Sequence, residues 1–145
     1  MRLVTATVIL LVLFSASVNA EDPVPLVSSV SMIELLANPP KFDGKVVMVK
    51  GFLRLEFEGN GLYLHKEDFD QSLTENALWV NVGNISPETA RSVSDKYVLL
   101  VGKFDAHGHG HMGLFGGEIG SVSRLERWPS RAELEKMTGR ASSPK

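Results

Sequence analysis

The chain has 145 residues, 43% of them hydrophobic, and no cysteine, so disulfide staples and thiolate metal sites are excluded. Its 15 Lys and Arg stand against 17 Asp and Glu, a net charge of −2, and a mildly acidic chain lacks the basic footprint of a general nucleic-acid binder. The length suits one domain that buries a core without cross-links.

The first segment carries a compartment signal. Arg2 gives a positive start, Leu3 to Phe14 is apolar and uncharged, and Val18-Asn19-Ala20 places small or slender side chains where a signal peptidase reads. Glu21-Asp22-Pro23 is polar and does not continue a helix. Residues 1–20 are expected to be a cleaved signal peptide. The apolar run is shorter than the ~20 residues a bilayer span requires, and no cysteine follows it for a lipid anchor. The remainder is expected to be an exported protein, periplasmic or secreted, with no membrane span after cleavage.

Residues 21–29 read as an extended lead-in, 30–138 as a single domain and 139–145 as a disordered tail. Ser31-Met32-Ile33-Glu34 has the form of a capping box opening a short helix with Met32, Ile33, Leu35 and Leu36 on its apolar side. Asn38-Pro39-Pro40 stops it, and Phe42 to Lys45 is a turn. Val46 to Glu58 alternates with period two. Val47, Val49, Leu53, Leu55 and Phe57 share one face, interrupted by Gly51, where a glycine marks a bend. Gly59-Asn60-Gly61 is a hairpin signal, and Gly61 to His65 returns with Leu62 and Leu64 inward and Tyr63 and His65 outward.

Residues His65 to Glu75 are polar and loop-like. Ala77 to Val82 is a third strand, with Trp79 and Asn81 outward, and Ser86-Pro87-Glu88 opens a short helix with proline at its first position. Tyr97 to Phe104 is a fourth strand, apolar on both faces. A loop rich in glycine and histidine follows, then a fifth strand from Gly117 to Glu126, whose Ile119 and Val122 break alternation as a bulge does. Ser130 to Glu133 opens a final amphipathic helix.

Five strands with a helix between the third and fourth predict a mainly β fold. It is a five-stranded OB-like β-barrel with an N-terminal capping helix, that short helix and a C-terminal helix. A five-stranded sandwich of other connectivity is the alternative. Val47, Val49, Leu53, Leu55, Leu64, Val80, Leu99, Val101 and Ile119 are the expected core.

Motifs along the same stretch are suggestive too. The run Asn38-Pro39-Pro40-Lys41-Phe42-Asp43-Gly44-Lys45-Val46-Val47 is followed by Gly51-Phe52-Leu53, Leu62-Tyr63-Leu64-His65, Leu78-Trp79-Val80 and Gly110-His111-Met112-Gly113-Leu114-Phe115. It resembles small exported bacterial proteins with an OB-like barrel. The resemblance implies the fold and brings no activity with it.

Function rests on a few side chains. Tyr63, His65 and Trp79 are expected on the outer face of the second and third strands, where OB barrels hold ligands and where aromatic rings stack on bases or sugars. Packing under the neighbouring loop is the competing role. His111 is expected to meet that face from the loop after the fourth strand, as a ligand contact or as a residue that orients the loop. His107, His109 and His111 alternate with glycine. In an extended backbone they would project to one side and suit Zn, Cu or Ni; otherwise no cofactor is expected. His65 or His111 with nearby carboxylates would serve a small hydrolase, but no nucleophile elbow, P-loop, His-Glu-x-x-His or dinucleotide fingerprint is present. A non-enzymatic binding or interaction module is therefore favoured, its partner a periplasmic or extracellular protein or saccharide rather than a nucleic acid.

Overall fold

The computed structural model describes residues 26–139, so the expected signal peptide and the last six residues lie outside the described part. In chain order it holds β1 (Ser28–Ser29), α1 (Met32–Ala37), α2 (Pro39–Phe42), β2 (Val46–Arg54), β3 (Gly61–Tyr63) and α3 (Lys66–Asp70). Then come β4 (Ala77–Val80), α4 (Pro87–Val93), β5 (Lys96–Asp105), β6 (Glu118–Arg127) and α5 (Arg131–Thr138).

Alternation in β2 organises the barrel. Val47, Val49 and Leu53 are buried on its inner row, in register with Gly51. β2 pairs with β5 from Val46 opposite Lys103 to Leu53 opposite Lys96, and with β3 only over Phe52, Leu53 and Arg54. The ring runs β2-β3-β4-β6-β5 and closes through the β2–β5 pairing, with β4 and β6 parallel. This is the expected OB-like closed barrel of five strands. One extra strand, β1, lies parallel to the first half of β2, along the stretch that β3 does not reach.

The glycine at 51 has a steric cause, and β2 pairs with β5 through it without a shift of register. A Cβ there would lie 2.6 Å from the Tyr63 carbonyl oxygen and 2.7 Å from the Met32 methyl group. Met32, buried with Leu35 on α1, thus uses the space a side chain would occupy. Gly51→Val is expected to cost about 1–3 kcal/mol, the usual range for overpacking. A urea midpoint equal to that of the parent chain would refute it.

Seven of the nine expected core residues are buried; Leu55 and Leu64 pack against the core only partly. Leu99 and Val101 are buried on the opposite row of β5 from Val98, Leu100 and Phe104. β2 ends at Arg54 rather than Glu58, and Phe57 is exposed. The chain turns there, with Gly59 N–H donating to the Glu56 carbonyl. Ile33 is exposed as well: six helical residues bury only the Met32–Leu35 side of α1. Only half of its capping box forms. Ser31 Oγ accepts from Glu34 N–H, while the Glu34 carboxylate turns to Lys41. The two prolines stop α1 and then begin α2, since they occupy a first turn where no N–H is needed. The expected bulge is present: residues 121–123 of β6 are accommodated between the Val101–Arg124 and Lys103–Gly120 pairs.

The capping box of α5 forms completely, from Ser130 and Glu133. The helix nonetheless buries no side chain, and Met137 is exposed. Polar contacts hold it: Glu133 with Ser130 and Arg127, and Arg131 with Glu135. The Ser130 N–H and hydroxyl, then Arg127, lower the Glu133 carboxyl from 4.5 to about 2. A depressed folded-state value stabilises above the unfolded value and is lost as pH falls. The start of α5 should therefore loosen from about 4.5 down through about 2. Amide shifts at Ser130 to Glu133 report it, and Glu133→Gln should remove the acid step.

Candidate functional site

Three separate segments meet at the outer end of β4. The turn after β2 supplies Glu58 and Asn60; β4 and the residue after it supply Trp79 and Asn81. The loop between β5 and β6 supplies His109, Gly110 and His111, and β6 begins with Glu118. They line an open recess of about 570 Å³, within the size range of small-ligand sites.

The loop is seated on the aromatic face beneath it. Phe115 is buried, with its ring edge-on to Trp79 at 5.3 Å and to Tyr63 at 6.4 Å. Gly110 has φ +59, and a Cβ there would lie 2.5 Å from the indole of Trp79, so the loop backbone rests on that ring. A side chain at 110 would meet both a steric and a conformational obstacle. His109 Nδ1–H donates to the Phe115 carbonyl at 2.7 Å. In the neutral ring this leaves Nε2 as the acceptor. His111 Nε2 lies 3.6 Å from Glu58 Oε2, and this pair joins the two loops across the recess. Asn81 Nδ2 donates to Glu118 Oε1 at 3.3 Å.

Asn81 and Glu118 also form one wall of a second recess, of about 440 Å³, lined by Asp43, Lys103, Asp105 and His107. There the His107 backbone N–H, followed by that of Gly108, holds the Asp105 carboxyl below its ordinary value.

The structure therefore brings Trp79 and His111 together, as expected. Tyr63 is not an open platform: it is buried between Phe69 and Phe115, because residues expected as loop form α3 and cover it. Burial, then the charge of Glu56, raises its phenol above the ordinary value. His65 does not line the recess. It precedes α3, with its ring exposed and Nδ1 3.5 Å from Asp68. Asp68 is buried, and its two oxygens accept from His65 N–H and Asn76 Nδ2, so this carboxylate secures backbone and α3.

The histidine run is not extended. Gly110 and Met112 both have positive φ, and His111 begins a short 3₁₀ turn. His107 lines the second recess and His109 and His111 the first. Among the described residues no three His, Asp or Glu side chains are grouped to hold a metal ion. Among the large apolar residues of this loop, Phe115 alone is buried; Met112 and Leu114 are exposed.

Glu58, Asn60, Asn81 and Glu118 were not singled out from sequence. Glu58 precedes the hairpin signal and Asn60 lies within it, and loops after the first and fourth strands are where OB barrels place ligand contacts, so that much could have been found. The approach of Glu118 depends on the parallel β4–β6 pairing, with Trp79 opposite Glu118, which no local pattern announces.

No known protein family matches the chain, and none of the curated proteins matches it. What the recess can do follows from its own chemistry. It offers an aromatic edge, two imidazoles, two amides and two carboxylates. None of its lining residues is Ser, Thr, Cys, Lys or Tyr, so the hydroxyl, thiol and amine nucleophiles are missing from the lining and only carboxylate and imidazole remain.

Proposed function

We propose that this chain is a non-enzymatic binding module of the exported compartment, with its ligand seated in the recess between Glu58, Trp79 and His111. The observation that carries this is the convergence of three sequence-distant segments on one polar recess whose lining offers no hydroxyl, thiol or amine nucleophile. The hydrolase alternative gains little from His65, since Asp68 is occupied with backbone and the pair lines no recess. The Glu58–His111 pair lines the recess, but no hydroxyl, thiol or amine shares that lining with it. The acidic balance and the rim carboxylates disfavour nucleic acid. The export segment, the OB-like fold and the motif resemblance agree with one another, and fold alone does not assign function.

The test places a photo-crosslinking amino acid at 111, and in a control chain at 131, where the native Arg side chain is 91% exposed. Both are expressed with the full sequence and illuminated in cells. Adducts of discrete mass at 111 and none at 131 are expected. Equal labelling at both positions, or none at 111, would overturn the proposal.

A further inference from the structure

The loops that form the recess carry large apolar side chains that are half or more exposed. Phe57 is 91% exposed, Met112 79% and Leu114 52%. Isolated exposed apolar residues are ordinary. These three sit on two loops that meet: Glu58, beside Phe57, and His111, beside Met112, are the pair at 3.6 Å. Apolar groups gathered beside a polar recess mark an interaction surface.

Charge selects what covers them. Glu58 and Glu118 line the recess, and Glu118 pairs with no cation among the described residues. Asp43 and Asp105 lie along the adjoining recess, where Lys103 is the cation. Carboxylates repel an anionic lipid surface, which draws basic segments instead. A free sugar would use the amides but leave the three apolar side chains in water.

Resting on the binding-module reading, we infer that this face takes an extended peptide segment of another protein. Its Lys or Arg side chain enters the recess between Glu58 and Glu118, and its flanking apolar side chains cover Phe57, Met112 and Leu114.

The experiment is selection from a hexapeptide library with Arg, Lys, Glu or Ser fixed at the centre and the flanks randomised, against the chain lacking residues 1–20. The best peptide is then titrated by Trp79 fluorescence in a Trp128→Phe background. Arg- or Lys-centred peptides with Leu, Phe or Met flanks should be retained. Glu58→Gln with Glu118→Gln should weaken the best peptide at least tenfold, as should Phe57→Ser with Met112→Ser. Melting temperatures should barely move, and single Glu58→Gln, the mildest change, should show the same direction. Retention of Glu-centred or polar-flanked peptides would overturn the inference. So would perturbation of Trp79 by neutral oligosaccharides or phosphatidylglycerol vesicles and not by peptides; that result leaves the recess a binding site. No response to any probe, with no adduct at position 111, would end both proposals.

Discussion

Phe104→Ala is expected to lower stability by about 3–5 kcal/mol, the range for emptying a buried aromatic site. Phe104 is fully buried at the end of β5, facing the barrel interior with Val98 and Leu100. Its surroundings have little freedom to collapse. A Cβ on Gly117 would lie 2.7 Å from the ring, so that backbone already touches it. Phe104 itself bonds at 2.9 Å to Gly44 N–H through its carbonyl and to the Lys45 carbonyl through its N–H. These bonds fix the strand end around the void. Domains of this size have about 5–15 kcal/mol in total, so a large part of the margin would go. Urea unfolding should show a lower midpoint with the slope little changed. Phe104→Leu, which refills much of the volume, should lose far less. Near-equal midpoints for the alanine variant and the parent would contradict the assigned core.

The barrel was legible because its signals are local. Period-two alternation in Val46–Arg54, the turn at Gly59-Asn60-Gly61, the proline-started helix at Pro87 and the broken alternation at Val122 each report a short-range constraint. Strand ends were not legible. Leu55 and Phe57 continue the alternation by residue type, but β5, which pairs with Leu53 through Lys96, starts there and leaves them no residue of β5 to pair with. The α3 segment escaped because Lys66, Glu67, Asp68 and Asp70 look like a solvated loop. Asp68 is instead folded under to cap the helix, and Phe69 reaches down onto Tyr63 and Phe52. That single element turns Tyr63 from a surface aromatic into part of a satellite core with Phe52, Ala77 and Phe115.

The site was legible in half. The topology argument that the loop after β5 reaches the face of Trp79 needs only strand order, and strand order followed from element type. The internal shape of the loop needs more. Two left-handed residues, Gly110 and Met112, reverse the chain around His111 and separate it from His107. Glycine at 110 permits that conformation; a methionine at 112 does not advertise it.

Phe115 is the loop's one large apolar side chain buried against the barrel, which gives the second large effect. Phe115→Ala should cost about 3 kcal/mol, the low end for a buried phenylalanine, because the residue is buried but lies in the smaller outer cluster. The loss should be concentrated in the loop. Phe115 alone of the loop's large apolar residues is buried, and its ring contacts Trp79 and Tyr63. Its backbone bonds to His109 at both ends, N–H to carbonyl at 3.2 Å and carbonyl to Nδ1 at 2.7 Å. Without the ring these bonds hold the loop to itself, and its tie to the barrel is reduced to Gly110 on the Trp79 indole and the Gly116 N–H on the Ala77 carbonyl. Amides between 107 and 116 should lose hydrogen-exchange protection at native conditions before those of β5 and β6 do. Trp79 emission, read with Trp128→Phe, should shift to the red as Gly110 lifts from the indole. Met112→Ala and Leu114→Ala, exposed in the same loop, should stay within about 0.5 kcal/mol of the parent. If Phe115→Ala instead lowers protection evenly across β5, β6 and the loop, the aromatic ring belongs to the main cooperative core. The recess would then be a fixed part of the barrel wall.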